Sequence, residues 1–100
     1  MSEQEIEKQI QEKGLNAPRL TPEAIDAQIT GEQYYVFPGT TVTICLLNLR
    51  NGFTVTGESA CASPENFNTE IGQKIARDNA RDKIWQLEGY RLKESLYLAG

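Results

Sequence analysis

Residues 51–92 read NGFTVTGESACASPENFNTEIGQKIARDNARDKIWQLEGYRL. This stretch decides the fold because a hairpin turn, a strand, a helix start and a long helix follow one another in it. Asn51-Gly52 is the strongest short-range hairpin signal, since a two-residue type I′ turn needs φ > 0 at both central positions. Such a turn fixes the register of the strands it joins. It sets Arg50 opposite Phe53, Asn48 opposite Val55, Leu46 opposite Gly57 and Ile44 opposite Ser59. On that register Val42, Ile44, Leu46, Phe53 and Val55 share the expected core face. Cys45, Leu47 and Leu49 share the other face with Thr54, Thr56 and Glu58, and only partial cover is expected there.

Ser63-Pro64-Glu65 predicts the start of the last helix, with an N-cap, Pro at the first position and an acid in the first turn. The helix is expected over residues 63–98, kinked at Gly89, with Phe67, Ile71, Ile75, Ile84 and Leu87 as its apolar face. Beside that face Gly72, Ala76 and Ala80 recur every fourth residue and stack on one stripe. A glycine inside a helix costs about 1 kcal/mol relative to Ala. The small row therefore predicts close approach of another backbone, most simply the sheet.

Upstream, residues 40–50 and the aromatic run 33–37 read as strands joined by Pro38-Gly39. With residues 53–59 they make a three-stranded antiparallel meander within 31–60. Residues 2–13 read as a first helix, with Ser2 as N-cap, Glu3 and Glu5 in the first turn and Gly14 at the stop. Only Ile6 and Ile10 give it an apolar stripe, and so narrow a helix is marginal alone. It has to dock on its own domain or on a neighbouring subunit. Thr21 caps a second short helix with Pro22 at its first position, Ala24, Ile25 and Ile29 on its apolar face and Gly31 at its end. The expected fold class is α+β: N-terminal helices (1–30), a β-meander (31–60) and a long kinked C-terminal helix (63–98) laid across the sheet, in one domain of residues 1–100.

A chain of 100 residues buries only a thin core, so oligomerisation is expected to contribute stability. The longest apolar run, residues 44–47, is too short to span a bilayer, and MSEQEIEKQI is no signal peptide. A cytoplasmic location follows as the expectation. The net charge of −4 divides into −3 over residues 1–30, −1 over 31–60 and zero over 61–100. No basic tract exists to neutralise phosphates, which argues against nucleic acid as partner. With no histidine and two cysteines there is no zinc-ligand set, and the commonest general base near neutral pH is missing. No metal or cofactor is expected, and Cys45 and Cys61 read as small buried hydrophobes.

Four features have residue types suited to binding. Gln73, Arg77, Arg81 and Trp85 line one helical stripe, and Arg77 has no acid three or four residues away. Two guanidiniums there suit phosphate oxygens; the structural alternative is a solvated face with Asp78 paired to Arg81 and Arg81 stacked on Trp85. Asn66, Phe67 and Asn68 sit at a helix start, where Phe67 offers a stacking surface or simply begins the helix core. Arg50 opposite Phe53 offers a cation and a π-face for a purine, or only a turn. Tyr34, Tyr35 and Phe37 suit core or interface better than a ligand platform. Asp78 and Asp82 are ringed by Arg77, Arg81 and Lys83, and Ser59 and Ser63 have no base nearby, so no catalytic group and no enzyme is expected.

The blocks YYVFPGTT, LRNGFTVTGESACASPENFN and EIGQKIARDNARDKIWQLEGYRL, with the lead-in LNAPRLTPEAIDAQI, resemble a family of small phage and prophage proteins over almost the whole chain. The domain is similar to the first type of Thoeris anti-defence protein. That resemblance implies a phage sponge in the host bacterial cytoplasm, a dimer or hexamer that sequesters glycocyclic ADP-ribose, or a cyclic oligonucleotide, without cleaving it. Under it, chemistry nominates Arg77 and Arg81 for phosphates, Phe67 or Phe53 for adenine, Asn66 and Asn79 for ribose or base edges, and Arg50 beside Phe53. The competing expectation is a phage protein–protein module that docks on a host enzyme through its helical face.

Overall fold

The computed structural model describes residues 2–15 and 17–100. The chain is α+β, in the order α1 (Glu3–Glu12), α2 (Pro22–Ala27), β1 (Ile29–Val36), β2 (Thr43–Leu49), β3 (Thr54–Ser59) and α3 (Thr69–Ala99). The strands form one antiparallel sheet in the order β1-β2-β3, and α3 lies across one face of it.

The N-terminal caps fall where the sequence places them. Ser2 Oγ accepts from the Glu5 amide, and Thr21 Oγ1 accepts from the Ala24 amide with Pro22 leading the helix, both at 3.1 Å. The second helix is shorter than expected. It stops at Ala27, and Ile29 opens β1 instead of continuing the helix. Gly31 ends no helix but sits beside a register irregularity, where β1 slips by one residue against β2 between Ile29 and Gly31.

The hairpin corrects the expected register. No residue other than glycine has positive φ among the described residues, so Asn51 is not in the conformation that a type I′ turn requires. Gly52 alone takes it, at φ 91°. The Leu49 amide donates to the Phe53 carbonyl at 2.8 Å, and the Gly52 amide donates to the Leu49 carbonyl at 2.9 Å. Asn51 Oδ1 accepts from the Phe53 amide at 3.0 Å. The loop thus holds three residues, Arg50, Asn51 and Gly52. Leu47 pairs with Val55, and Cys45 pairs with Gly57.

One residue of slip turns every side chain of a strand to the other face. The core side of β2 is Thr43, Cys45, Leu47 and Leu49, all buried, while Ile44, Leu46 and Asn48 lie half-buried on the opposite side. Val55 and Gly57 face the core from β3. Ile44 and Leu46, expected in the core, lie on the side of the sheet away from α3.

The helix side of the core is the small-residue row. Gly72, Ala76, Ala80 and Ile84 are its buried positions. Phe67 is only half-buried, and Ile71, Ile75 and Leu87, expected as apolar face, are exposed. The reason is Gly57: a Cβ built there would run into the Ala80 nitrogen and the Ala76 carbonyl oxygen. The helix backbone rests directly on the strand, which only a row of small residues permits.

The start of α3 is also corrected. Pro64–Asn66 is a single 3-10 turn, Ser63 makes no side-chain cap, and the chain extends again through Phe67. Asn68 is the true N-cap, its Oδ1 accepting from the Ile71 amide at 3.0 Å. From there α3 runs 31 residues, unbroken through Gly89. At about 1.5 Å per residue its length of roughly 46 Å nearly fills the 53 Å long axis of the molecule. Its last turns leave the sheet, with Tyr90, Tyr97 and Leu98 each more than 70% exposed.

Candidate functional site

The stripe of Arg77, Arg81 and Trp85 lies on the flank of α3 that faces β1 and the N-terminal helices. Those elements supply acids that no spacing within α3 reveals. Arg77 Nε donates to Glu32 of β1 at 2.6 Å. Arg81 Nε donates to Asp26 of α2 at 2.8 Å, and its two terminal nitrogens grip both oxygens of Glu3 of α1 at 2.6 and 2.9 Å. A fourth donation goes to the Pro22 carbonyl at 3.3 Å. The Trp85 indole N–H donates to Glu3 at 3.1 Å. Asp78 pairs with Lys74 at 3.3 Å rather than with Arg81.

These pairs shift the groups that make them. The Arg81 hydrogen bonds hold the Glu3 carboxyl below its ordinary range, and Arg77 does the same to Glu32. Glu3 in turn raises Arg81 further above its ordinary value, against the opposing cost of burial. Tyr34 donates its hydroxyl to Glu32 at 3.1 Å. Burial, then that hydrogen bond, pushes its pKa up to about 12.

Arg50 and Phe53 meet a different part of α3. They line a cleft of about 260 Å³ with Gln28, Leu49, Asn51, Leu87, Glu88 and Arg91. The backbone holds the hairpin there, the Arg50 amide donating to the Gln28 carbonyl at 2.9 Å. Phe53 is 55% exposed. Arg91 is oriented by Glu88 one turn back, Nε to Oε2 at 2.7 Å. The Arg50 guanidinium has no hydrogen-bond or ion-pair partner among the described residues. Arg91 was not singled out from sequence, although it follows Leu87 by four residues and so shares its stripe.

The remaining nominated residues lie elsewhere. Asn66 is exposed in the 3-10 turn, and Phe67 packs toward Gly72 at the start of α3. Asn79 Nδ2 donates to the Glu58 carbonyl of β3 at 2.8 Å. About twenty residues of helix, roughly 30 Å, separate Phe67 from Leu87. The seven nominated residues are therefore not one constellation: Arg50 and Phe53 form a cleft, Arg77 and Arg81 form a paired stripe, and the others stand apart.

Among the described residues no three His, Cys, Asp or Glu side chains converge as metal ligands, and no helix is long and apolar enough to cross a membrane. No curated protein and no solved structure matches the chain. Residues 20–96 match the model of one family, described as the phage protein (N4 Gp49/phage Sf6 gene 66) family, a span that takes in α2, the whole sheet and all but the last turn of α3. By a match over that much of its length, the chain belongs to the phage protein (N4 Gp49/phage Sf6 gene 66) family.

Proposed function

We propose that this phage protein binds and sequesters a cyclic nucleotide signal without cleaving it, and that the hairpin cleft is its ligand site. The observation that carries this is exposed Phe53 sharing one concave site with two guanidinium-bearing side chains, Arg50 and Arg91. An aromatic face takes a purine by stacking, and guanidiniums take phosphate oxygens two at a time. Asn51 and Gln28 add polar edges for ribose or base. No nucleophile stands beside a base in the cleft, so capture rather than turnover suits it.

The cleft's size also supports a shared site. Small-molecule pockets commonly hold about 300–1,000 Å³, and one chain offers about 260 Å³. A second copy closing over the cleft would complete it and raise affinity by excluding water. Capture then works by mass action: nanomolar binding, about −12 kcal/mol, holds the free signal below an effector's threshold when the protein is in excess.

A second interpretation draws on the last turns of α3. Tyr90, Leu96, Tyr97 and Leu98 are exposed there, 45–77% each. Such residues suit a protein contact, with a host enzyme or with another copy.

Titration calorimetry of the full chain with cyclic ADP-ribose isomers and cyclic di- and trinucleotides tests the proposal, followed by heat release and chromatography of the bound compound. Tight binding, recovery of the compound intact and a loss of about fivefold or more in Phe53→Ala and Arg50→Ala are expected, stacking being worth about 1–3 kcal/mol per base. No binding to any of these compounds sinks the proposal and leaves the protein contact. Arg81→Ala is a poor probe of this site, because it also strips Glu3 and Asp26 of their partner.

A further inference from the structure

The attachment of α1 is distinctive. None of its residues is buried, and Ile6 is 46% exposed. Two acids one turn apart hold it instead. Glu3 sits on the Arg81 fork with the Trp85 indole beside it. Glu7 takes both terminal nitrogens of Arg19 at 2.5 and 2.7 Å. Where the apolar stripe of α1 faces the body, a cavity of about 380 Å³ remains open among Ile6, Ile10, Leu20, Pro22 and Trp85. The charged contacts are saturated where the apolar ones are incomplete.

We infer that α1 is a releasable strap: the Glu3 carboxylate serves as an internal anion on Arg81, and a phosphoryl-bearing anion that takes its place frees the helix from α3, leaving the Glu7–Arg19 pair to tie it only to the connector before α2. A carboxylate and a phosphoryl group present the same pair of oxygens to a guanidinium, and the doubly charged one holds it more strongly. Arg77 stands one turn away on the same stripe, with one acid on its Nε and a third of its side chain exposed. A diphosphate-like anion would therefore meet two guanidiniums where Glu3 meets one. Asp26 stays on Arg81 Nε, so α2 keeps its own tie.

Release has a defined consequence. A ten-residue helix is marginal in isolation, so α1 unfolds once it is undocked. Its departure uncovers Trp85 and Leu20, now the floor of the cavity. This device is independent of the hairpin cleft, and neither stands or falls with the other.

The test reads hydrogen exchange over residues 3–12 together with the emission of Trp85, the chain's one tryptophan. Full-length protein is compared in sodium pyrophosphate and in sodium chloride at matched ionic strength, alongside Glu3→Gln, Glu5→Gln and Ile6→Ala. Glu3→Gln is expected to speed exchange in α1 at least tenfold and to red-shift Trp85, while β2 stays protected. Pyrophosphate is expected to do the same to the unsubstituted chain where chloride does not. Glu5→Gln removes a first-turn acid that touches no arginine among the described residues, so it costs α1 only its dipole contribution and should change both signals far less than Glu3→Gln. Three results overturn the inference: α1 still protected in Glu3→Gln, pyrophosphate no better than chloride, or Ile6→Ala releasing α1 as fully as Glu3→Gln.

Discussion

Along one flank α3 lies on β3 at backbone distance; along the other it reaches β1, α1 and α2 through guanidinium–carboxylate pairs. The first contact is made of what is missing, the side chains of Gly57 and Gly72 and all but a methyl at Ala76 and Ala80. The second is made of long, charged side chains that span a gap. Packing at van der Waals contact has no slack, so it tolerates no added volume and responds little to salt or pH. Ion pairs between partly exposed groups tolerate geometry but respond to both. The two flanks of one helix should therefore fail separately, under different stresses.

The sharpest way to break the packed flank is Gly57→Ala. Its added methyl has nowhere to go, because the obstructing atoms are helix backbone rather than a flexible side-chain end. Overpacking typically costs about 1–3 kcal/mol, and this position should sit at or above the top of that range. For a domain of this size about 3 kcal/mol lowers the melting midpoint by roughly 12 °C or more. A loss of less than about 1 kcal/mol in the unfolding free energy from urea titration would mean that α3 does not rest on β3 in this way.

On the charged flank, Arg81→Ala is expected to cost less, about 1–2 kcal/mol. The carboxylates it abandons on Glu3 and Asp26 are 37% and 57% exposed and can rehydrate, unlike those of a fully buried pair. Its effect should also be local: exchange rises in α1 and α2, and β2 and residues 72–84 stay protected. Arg81→Lys keeps the charge but loses the fork, and should fall between. Uniform loss of protection through the sheet would show that the two flanks are one cooperative unit.

Acid distinguishes the flanks without any substitution. Arg81 hydrogen bonds lower the Glu3 pKa from its ordinary 4.5, and Arg77 and Arg19 do so for Glu32 and Glu7. Glu3 also faces Asp26 of α2, which opposes the shift, and the Trp85 indole, which adds to it. Carboxyls with depressed folded-state pKa values contribute stability that is present above 4.5 and is lost as pH falls through those lower values. Ellipticity and Trp85 emission should therefore change below pH 4.5 in a step that leaves the sheet intact. At the alkaline end Tyr34, raised to about 12, contributes stability that is lost as pH rises from about 10 through 12. A Trp85 signal flat from pH 7 to pH 3 would count against the ion-pair account of α1.

The two flanks also differ in how legible they were. Local chemistry could be read directly: the Ser2 and Thr21 caps, the meander, and the Gly72–Ala76–Ala80 row with its close approach. The face of β2 that joins that row in the core was misread: a one-residue error in loop length set Gly57 opposite Leu46 instead of Cys45, and so turned Ile44 and Leu46 inward in place of Cys45 and Leu47. Asn-Gly suits both a two-residue turn and a three-residue loop with glycine last, and only the φ of Asn51 separates them. Apolar count then misled, since Ile71, Ile75 and Leu87 outweigh a glycine and two alanines by volume yet face outward. The charged flank was hidden for another reason. Arg81 finds its acids 55 and 78 residues away, and no periodicity within a helix reports a partner from another element. The cleft was half-legible: Arg50 and Phe53 are neighbours across a turn, but Gln28 and Arg91 come from β1's approach and from α3.

The smallest expected effect probes the packed flank from within. Thr43 is fully buried on β2, and its hydroxyl finds no hydrogen-bond partner among the described residues. It lies against Gly72, where an added Cβ would stand 3.1 Å from Oγ1. An unsatisfied buried hydroxyl costs about 1–3 kcal/mol, and Thr43→Val removes that cost at nearly constant shape. Part of the gain is offset because a methyl is slightly larger than a hydroxyl and the Gly72 backbone cannot retreat from Thr43 without disturbing the Gly57 contact. A net stabilisation of about 0.5 kcal/mol follows, read as a higher urea midpoint with an unchanged slope. The sign is the informative part. Stabilisation means that the flank has room for a methyl and that Gly57 alone sets the separation of helix and sheet. Destabilisation means that Gly72 sets it too, and the close approach extends the full length of the small-residue row.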